Sequence, residues 1–407
     1  MRVVIVSAFI DPQAVGEPRW CYDLAKAISE RVDSVIIAQT PINRSYSIAE
    51  LFPNAEVHET AGWQLNWLDK RMKALIKPNY VKFQRFAERV IRQDLVAKGV
   101  TCGHHFGPLG MRYPTPLRRS GIPYVMGPVG GSLPLPPGFE GGGTKDPWYY
   151  KLRDIDQLRF RFDPAIRATY ANADIVVGAA QYVRDILHEI PLRRFAAHSQ
   201  RFAKIPPIDV EATIAARAQS AGPLRLLIAS RLIFSKGVHY ALQALGQIKE
   251  RLPAWRLDIL GDGVYRGELE QLTARLGLAD NVVFHGHTPR DAVDDFYRQA
   301  DIFLFPTIRE PSGAVIFEAM AWGLPQISAN YGGPATHVTD DLGITAPVDS
   351  PAAFVDGLAV AIERLGQSPQ LRLEMGRNAL AAARNWHSVE EMVDFFVDLY
   401  GQISRPA

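Results

Sequence analysis

Arg309-Glu310-Pro311-Ser312-Gly313-Ala314-Val315-Ile316-Phe317-Glu318-Ala319-Met320-Ala321-Trp322-Gly323-Leu324-Pro325 is the stretch from which the rest of the chain can be read. Ser312-Gly313 after Pro311 predicts a helix start, which places Glu310 just before a helix N-terminus. Glu318 then lies about 8 Å further along, at 1.5 Å rise per residue from Ser312. Its neighbours Ile316, Phe317, Ala319, Met320 and Trp322 are almost all apolar. A carboxylate in such a run is costly to bury unless something hydrogen-bonds it. Between the two acids the amides of Gly313 and Ala314, flanked by Ser312 and Val315, offer a seat for a phosphate. Two carboxylates bracketing a phosphate seat suit a ligand with hydroxyls at both ends and a diphosphate in the middle, as in a nucleotide sugar. The alternative is solvated helix decoration, and the apolar flanks with the closing Gly323-Leu324-Pro325 turn weigh against it.

Length and composition fit a globular enzyme-sized protein. A chain of 407 residues is too long for one core and fits two domains of about 200 residues each. At 47% hydrophobic and 22% charged residues it carries no signature of disorder. Cys21 and Cys102 have no metal-ligand spacing, so a reduced, cytoplasmic chain is expected. The run Val3–Ile10 is short, preceded by one basic residue and ended by Asp11-Pro12, and reads as a buried first strand, not a leader. No stretch approaches the roughly 18 apolar residues of a membrane span. Residues 1–200 carry 26 Lys and Arg against 19 Asp and Glu, whereas the remaining residues carry 19 against 24. The two halves therefore face different partners, and neither carries a feature that calls for nucleic acid.

Both halves open on the same grammar of strand, loop and amphipathic helix. In the first this is Val3–Phe9, a loop through Gly16 and a helix from about Pro18 to Ile28. In the second it is Leu224–Ala229, the loop Ser230–Lys236 and a helix from Gly237 to about Arg251. Further strands are expected at Val35–Ala38, Pro123–Met126, Ile175–Gly178, Arg256–Leu260, Asn281–His285, Ile302–Pro306 and Gln326–Ala329. Strands alternating with helices argue two parallel, doubly wound α/β sheets. Lys204–Asp209 and the weakly patterned residues after it mark the boundary, giving domains at 1–205 and 206–387 and a last helical segment at 388–407. Ligands of such sheets bind beyond the carboxyl ends of the strands.

The order Glu-Ala-Met-Ala-x-Gly-x-Pro is complete at 318–325, and Glu310 precedes Glu318 by seven intervening residues. On these residues the sequence resembles the retaining glycosyltransferases of family 4. The resemblance covers nearly the whole chain, more firmly in its second half. It implies the GT-B fold, with two Rossmann-like domains facing a central cleft and the last helix crossing back to the first domain. It also implies that Glu318 holds ribose hydroxyls and that Glu310 lies by the donor sugar. Pro311-Ser312 departs from the small residue and aromatic more usual there.

Arg231 and Lys236, five residues apart in the loop after a first strand, are suited to clamp a diphosphate as a fork and a point charge. Arg231-Leu232-x-x-x-Lys236-Gly237 is similar to the diphosphate site of the same family. Gly261-Asp262-Gly263 is a tight strand-to-helix turn that the resemblance places beside the nucleotide. Phe284-His285-Gly286 ends the next strand and offers backbone to the base, while loop histidines without a chemical role remain the plainer reading of His285 and His287. In the first half Gly16 stands alone where related enzymes show a glycine pair approaching the donor phosphate, with Arg19 in support.

His104-His105 and the loop Gly127-Pro128-Val129-Gly130-Gly131 resemble a bacterial subgroup of the family. The resemblance implies that one of these histidines faces the sugar, and the sequence leaves open which; for each, a packed histidine at a strand end is the alternative. Asp154-Ile155-Asp156 has the look of a metal-binding pair, but its helical, basic context reads as a solvated helix face. No metal or cofactor is called for. Residues 127–147, rich in glycine and proline, form either a mobile acceptor loop or a merely irregular connection. Residues 63–95 interleave Lys70, Arg71, Lys73, Lys77, Lys82, Arg85, Arg89 and Arg92 with Trp63, Trp67, Tyr80, Phe83 and Phe86. Trp148–Arg153 has the same character. Such mixtures suit an anionic membrane surface, or else belong to ordinary helices whose aromatics pack inward.

The expected activity is transfer of a hexose from a nucleoside diphosphate sugar, uridine or guanosine based, to a hydroxyl of a glycan or lipid-linked acceptor. Retention at the anomeric carbon is implied by the resemblance. The expected setting is surface polysaccharide assembly, by a cytoplasmic enzyme peripheral to the membrane. A nucleotide-sugar epimerase of the same fold is the alternative, and a non-catalytic sugar-nucleotide sensor is a weaker one. A dinucleotide dehydrogenase would need G-x-G-x-x-G after a first strand, which is absent.

Overall fold

Two parallel sheets carry the chain in the computed structural model, which describes residues 1–14, 16–41, 45–64, 77–95, 98–139, 155–198, 205–385 and 389–404. The first sheet is built from β1 (Arg2–Ser7), β2 (Asp33–Thr40), β3 (Glu56–Ala61), β4 (Cys102–Gly107), β5 (Tyr124–Val129), β6 (Ile175–Gly178) and β7 (Phe195–Ala197). Its order is β3-β2-β1-β4-β5-β6-β7. The second contains β8 (Leu224–Ala229), β9 (Trp255–Leu260), β10 (Val282–Gly286), β11 (Ile302–Phe305), β12 (Gln326–Ala329) and β13 (Gly343–Ala346), in the order β10-β9-β8-β11-β12-β13. Continuous apolar runs such as Val3–Val6 and Ile302–Phe305 are fully buried, as strands covered on both faces must be. Both orders reverse beside their first strand, between β1 and β4 and between β8 and β11. Loops leaving those strands splay apart there and leave a crevice for a ligand.

Four strands lie outside the sequence expectation. β3, β7 and β13 sit at or near sheet edges, where one side needs no apolar partner, so Glu56–Ala61 reads as polar chain. β4 is the opposite case. Cys102-Gly103-His104-His105-Phe106-Gly107 is buried throughout although it carries two histidines and two glycines.

Among the described residues, 1–132, 155–198 and 389–404 make one compact unit, and 133–139 with 205–385 make another. Leu133–Phe139, within the 1–205 segment expected for the first domain, thus packs with the later unit. Phe139 stacks edge-on against Tyr240 and Phe354 in the second unit's core. The helix Val389–Ile403 buries Met392, Val393, Phe396, Leu399 and Tyr400 in the first unit, and Arg31 pairs with Asp394 on it.

His104 fixes that helix from beneath. Its Nε2–H donates to the Gly127 carbonyl at 2.5 Å, and Nδ1 accepts from the Tyr400 hydroxyl at 2.5 Å. Phe106 and Phe396 close over the ring. Both ring nitrogens are spent inside the core, so His104 is a packing residue and not the catalytic candidate the sequence allowed. Burial pushes its pKa down to about 3 against the Gly127 carbonyl's opposing pull, and burial likewise pushes His105 down to about 4.

These two histidines make stability fall with acid. Their folded pKa values lie below the unfolded value of about 6.5, so their contribution is complete above that pH and shrinks as pH drops. Each is expected to cost up to about 1.4 kcal/mol per pH unit between pH 6.5 and the folded values. Urea midpoints at pH 7.5, 6.0 and 5.0 should decline through this window, and His104→Gln should flatten the decline. An unchanged slope in that variant would show that His104 does not contribute.

Candidate functional site

The chain leaving β8 turns through Ser230 and Arg231 into a single 3-10 turn, Phe234–Lys236, and enters the helix Val238–Ile248 at Gly237. This loop is stitched to the one leaving β11. The Ile308 amide and Thr307 hydroxyl both donate to the Ser235 carbonyl, at 3.1 and 3.2 Å. Gly237 has φ +67°, and a Cβ there would stand 1.8 Å from the Pro306 carbonyl oxygen. Only glycine permits so close an approach. The result is that Lys236 and Glu310, 74 residues apart, meet: Lys236 Nζ lies 2.5 Å from Glu310 Oε2. Both side chains are largely buried.

The other carboxylate oxygen, Oε1, accepts from the amides of Ser312 at 3.3 Å and Gly313 at 3.0 Å. Burial alone would raise the Glu310 pKa. The Lys236 charge and hydrogen bond, with the two amides, outweigh it and hold the group below its ordinary value. Glu310 is therefore an anion seated on a cation. This corrects the expected phosphate seat in one respect, because the Gly313 amide is engaged by Glu310. The helix runs Ala314–Ala321 and is entered at Gly313 with φ +82°, not at Ser312. The amides of Ala314 and Val315 lie in its first turn, where the helix offers no carbonyl to receive them.

Two further elements brace this loop, and the sequence reading passed over both. Gly332-Gly333, opening the turn after β12, lie flat against it: the Gly333 amide donates to the Glu310 carbonyl at 2.9 Å. A Cβ on Gly333 would meet the Pro311 carbonyl oxygen at 2.6 Å. Arg217, half-buried, closes the far end of the Ala314–Ala321 helix by donating to the carbonyls of Trp322 at 2.6 Å and Ala300 at 2.7 Å. Glycines after a strand signal such a turn, but nothing local assigns Arg217 its partners.

Glu318 lies one turn beyond Ala314, on the same face of the helix. It is half-buried and accepts from the Tyr297 hydroxyl at 3.2 Å. Arg231 is exposed, in the loop that carries Lys236. Gly261 pairs with Gly286 across the ends of β9 and β10. Phe284 packs partly into the core, whereas His285 points to the other face, where its Nε2 meets Asp258 at 2.7 Å. Arg256 binds the same carboxylate, so the His285 side chain is committed to that pair. In the first unit Gly16 is exposed with φ +77° ahead of the helix Glu17–Ser29. Glu17 is mostly buried and accepts from the Leu109 amide at 2.7 Å. Burial raises its pKa, against that bond and the Lys77 charge. His105 donates from Nε2 to the Gly107 carbonyl at 3.1 Å, and its buried Nδ1 has no partner among the described residues.

Asp156 is not part of a solvated helix face. It is 2% exposed, held by Arg112 at 2.5 Å and by the Ser132 hydroxyl at 2.8 Å. Asp154, Val15, residues 140–147 of the expected acceptor loop and the Trp148–Arg153 patch lie outside the described residues. So do Trp67, Lys70, Arg71 and Lys73 of the basic stretch. In its described part Tyr80 and Phe83 are buried and Lys82 donates to the Ala61 carbonyl. The helix Pro78–Val90 is an ordinary amphipathic one, its apolar face turned inward.

Residues 209–381 match the family Glycosyl transferases group 1. They form a glycosyltransferase group 1 domain. Lys236, Glu310, Glu318 and their braces all fall within it. The D-inositol 3-phosphate glycosyltransferase of Xylanimonas cellulosilytica is 30% identical over 262 residues, 62% of this chain and 60% of that one. The chain thus spans about 60% of that relative's length. Two solved structures share the architecture along its whole length. Sucrose-phosphate synthase of Thermosynechococcus elongatus has TM-score 0.65 at 18% identity, covering 98% of both chains. Anabaena Alr3699/HepE, solved in complex with UDP, has TM-score 0.64 at 18% identity, covering 99% of this chain and 100% of that one. At such identity they show the fold, and it is GT-B.

The loop packing in this domain is directly testable. Gly237→Ala should lower stability by about 3 kcal/mol or more, from left-handed backbone strain and the clash with Pro306. Gly267→Ala, in a helix with nothing near the added methyl, should be neutral or stabilising by up to about 1 kcal/mol. Chemical unfolding of the two variants beside the parent checks both, and equal effects would contradict the packing.

Proposed function

We propose that the protein is a glycosyltransferase that moves a hexose from a nucleoside diphosphate sugar to a hydroxyl acceptor with retention of configuration. The observation that carries the reading is the Lys236–Glu310 pair at the sheet's switch point, 2.5 Å apart beside the first turn of the Ala314–Ala321 helix. Cleaving the sugar–phosphate bond puts negative charge on the departing diphosphate. Lys236, the amides of Ala314 and Val315, and Arg231 on its loop would receive that charge already in place, and such preorganised donors usually supply the largest catalytic term. Glu310, kept ionised by the same lysine, would hold sugar hydroxyls, and Glu318 the ribose. The acceptor would attack on the face the diphosphate leaves, with its proton passing to the departing phosphate oxygen. No protein nucleophile and no metal enters this scheme.

Lys236→Met should lower kcat by about 10²-fold or more while the protein still folds, measured as diphosphate release in the presence of acceptor. Activity should survive EDTA, and the product's anomeric proton should show the donor's configuration. Wild-type-like turnover in a folded Lys236→Met variant would overturn the assignment. Donor incubated alone should be hydrolysed slowly and never isomerised, which separates the transferase from an epimerase.

For the acceptor we propose a lipid-linked glycan at a membrane surface. Ile155, Leu158 and Phe162, at 46%, 59% and 68% exposure, line one face of the helix Ile155–Phe162. Arg159 and Arg161 flank that face, and both pair with acids, Asp163 and Glu189. The apolar groups therefore carry the contact more than net charge does. No helix of the described residues is long and apolar enough to cross a membrane. Vesicle co-sedimentation should be reduced severalfold by Leu158→Ser with Phe162→Ser and weakened less by salt. No binding to neutral or anionic vesicles would leave a water-soluble acceptor as the better account.

A further inference from the structure

Tyr297 is the residue on which we build beyond this scheme. It sits on the helix Arg290–Gln299, 1% exposed, its ring within an apolar cluster with Phe303, Phe305 and Phe317. Its hydroxyl reaches out of that cluster to Glu318 Oε2 at 3.2 Å. A tyrosine so placed buries its oxygen only where a partner receives it. A half-buried glutamate on an otherwise apolar helix face gains from a donor that selects one of its rotamers. At 3.2 Å the bond is long for a hydroxyl donor, which suits orientation of the carboxylate more than neutralisation of it.

We infer that Tyr297 is a positioning residue for nucleotide recognition. It holds the Glu318 carboxylate in the orientation that accepts the vicinal hydroxyls of a ribose. This rests on the reading of Glu318 as the ribose-holding acid. Two aligned carboxylate acceptors match a cis-diol as a pair. Without the tyrosine the carboxylate spreads over rotamers, and each hydroxyl must order it anew. Tyr297 acts from within the protein and touches no substrate, so its effect should be confined to ligands that possess the diol.

The test is calorimetric binding of UDP and GDP, and of their 2′,3′-dideoxy forms, to the full chain and three variants. Tyr297→Phe keeps the ring in its cluster and removes one oxygen, and its melting temperature is confirmed first. It should weaken binding of the ribose nucleotide about tenfold, the scale of one hydrogen bond to a charged group, and leave the dideoxy form unchanged. In turnover it should raise the donor KM and spare kcat. In Glu318→Ala the same tyrosine substitution should add nothing. Equal weakening of both nucleotide forms would mark a merely structural tyrosine and overturn the inference, as would additive effects in the double variant. Should Glu318→Ala itself leave binding of the ribose form unchanged, the reading of Glu318 fails. If Glu318→Ala weakens it and Tyr297→Phe does not, the inference about Tyr297 fails alone.

Discussion

One ion pair organises the second unit's site: Lys236 against Glu310, each largely removed from water. Either charge alone at that depth would be costly, and removing one member of a buried pair is far more damaging than the pair is stabilising. The two residues come from loops on opposite sides of the point where the strand order reverses. Forming the pair therefore closes the crevice floor and holds Glu310 in its ionised form. The neighbouring packing serves this closure. Gly237 lets the lysine loop touch Pro306, Gly333 lets the β12 turn rest on the glutamate loop, and the Ser312 and Gly313 amides complete the carboxylate's shell.

Much of this was legible in the sequence, for identifiable reasons. Strands buried on both faces read as unbroken apolar runs, so the central strands β1, β8 and β11 stand out, and the alternation with helices gives parallel sheets. Glu310, Glu318 and Lys236 are polar residues placed against apolar or glycine-rich surroundings, a contrast visible without a structure. β3 was lost because an edge strand shows no such contrast. β4 was lost because two of its six residues are histidines and two are glycines. The polarity of His104 is satisfied by long-range partners, Tyr400 from the far end of the chain and the Gly127 carbonyl, which no local pattern records.

The same limit explains the errors of detail. Asp156 looks solvated in sequence because Arg112, 44 residues away, is not adjacent in the chain. The Gly313 amide looks free because helix ends usually are, whereas a side chain three residues upstream turns back to take it. Tyr297 and Arg217 read as ordinary helix residues, and both act on the Ala314–Ala321 helix from distant segments. Sequence shows where an unusual group stands. What stabilises it there is generally non-local.

The packing of Val389–Ile403 into the first unit has a consequence for the nascent chain. A ribosome delivers residues 1–198 first, but the seat of Phe396 and Tyr400 is empty until the last helix emerges. Domains usually fold in the order they are made. Here the later unit is fully synthesised before the earlier one can be completed. During that interval the apolar groove over His104 stays without the helix Val389–Ile403 that covers it.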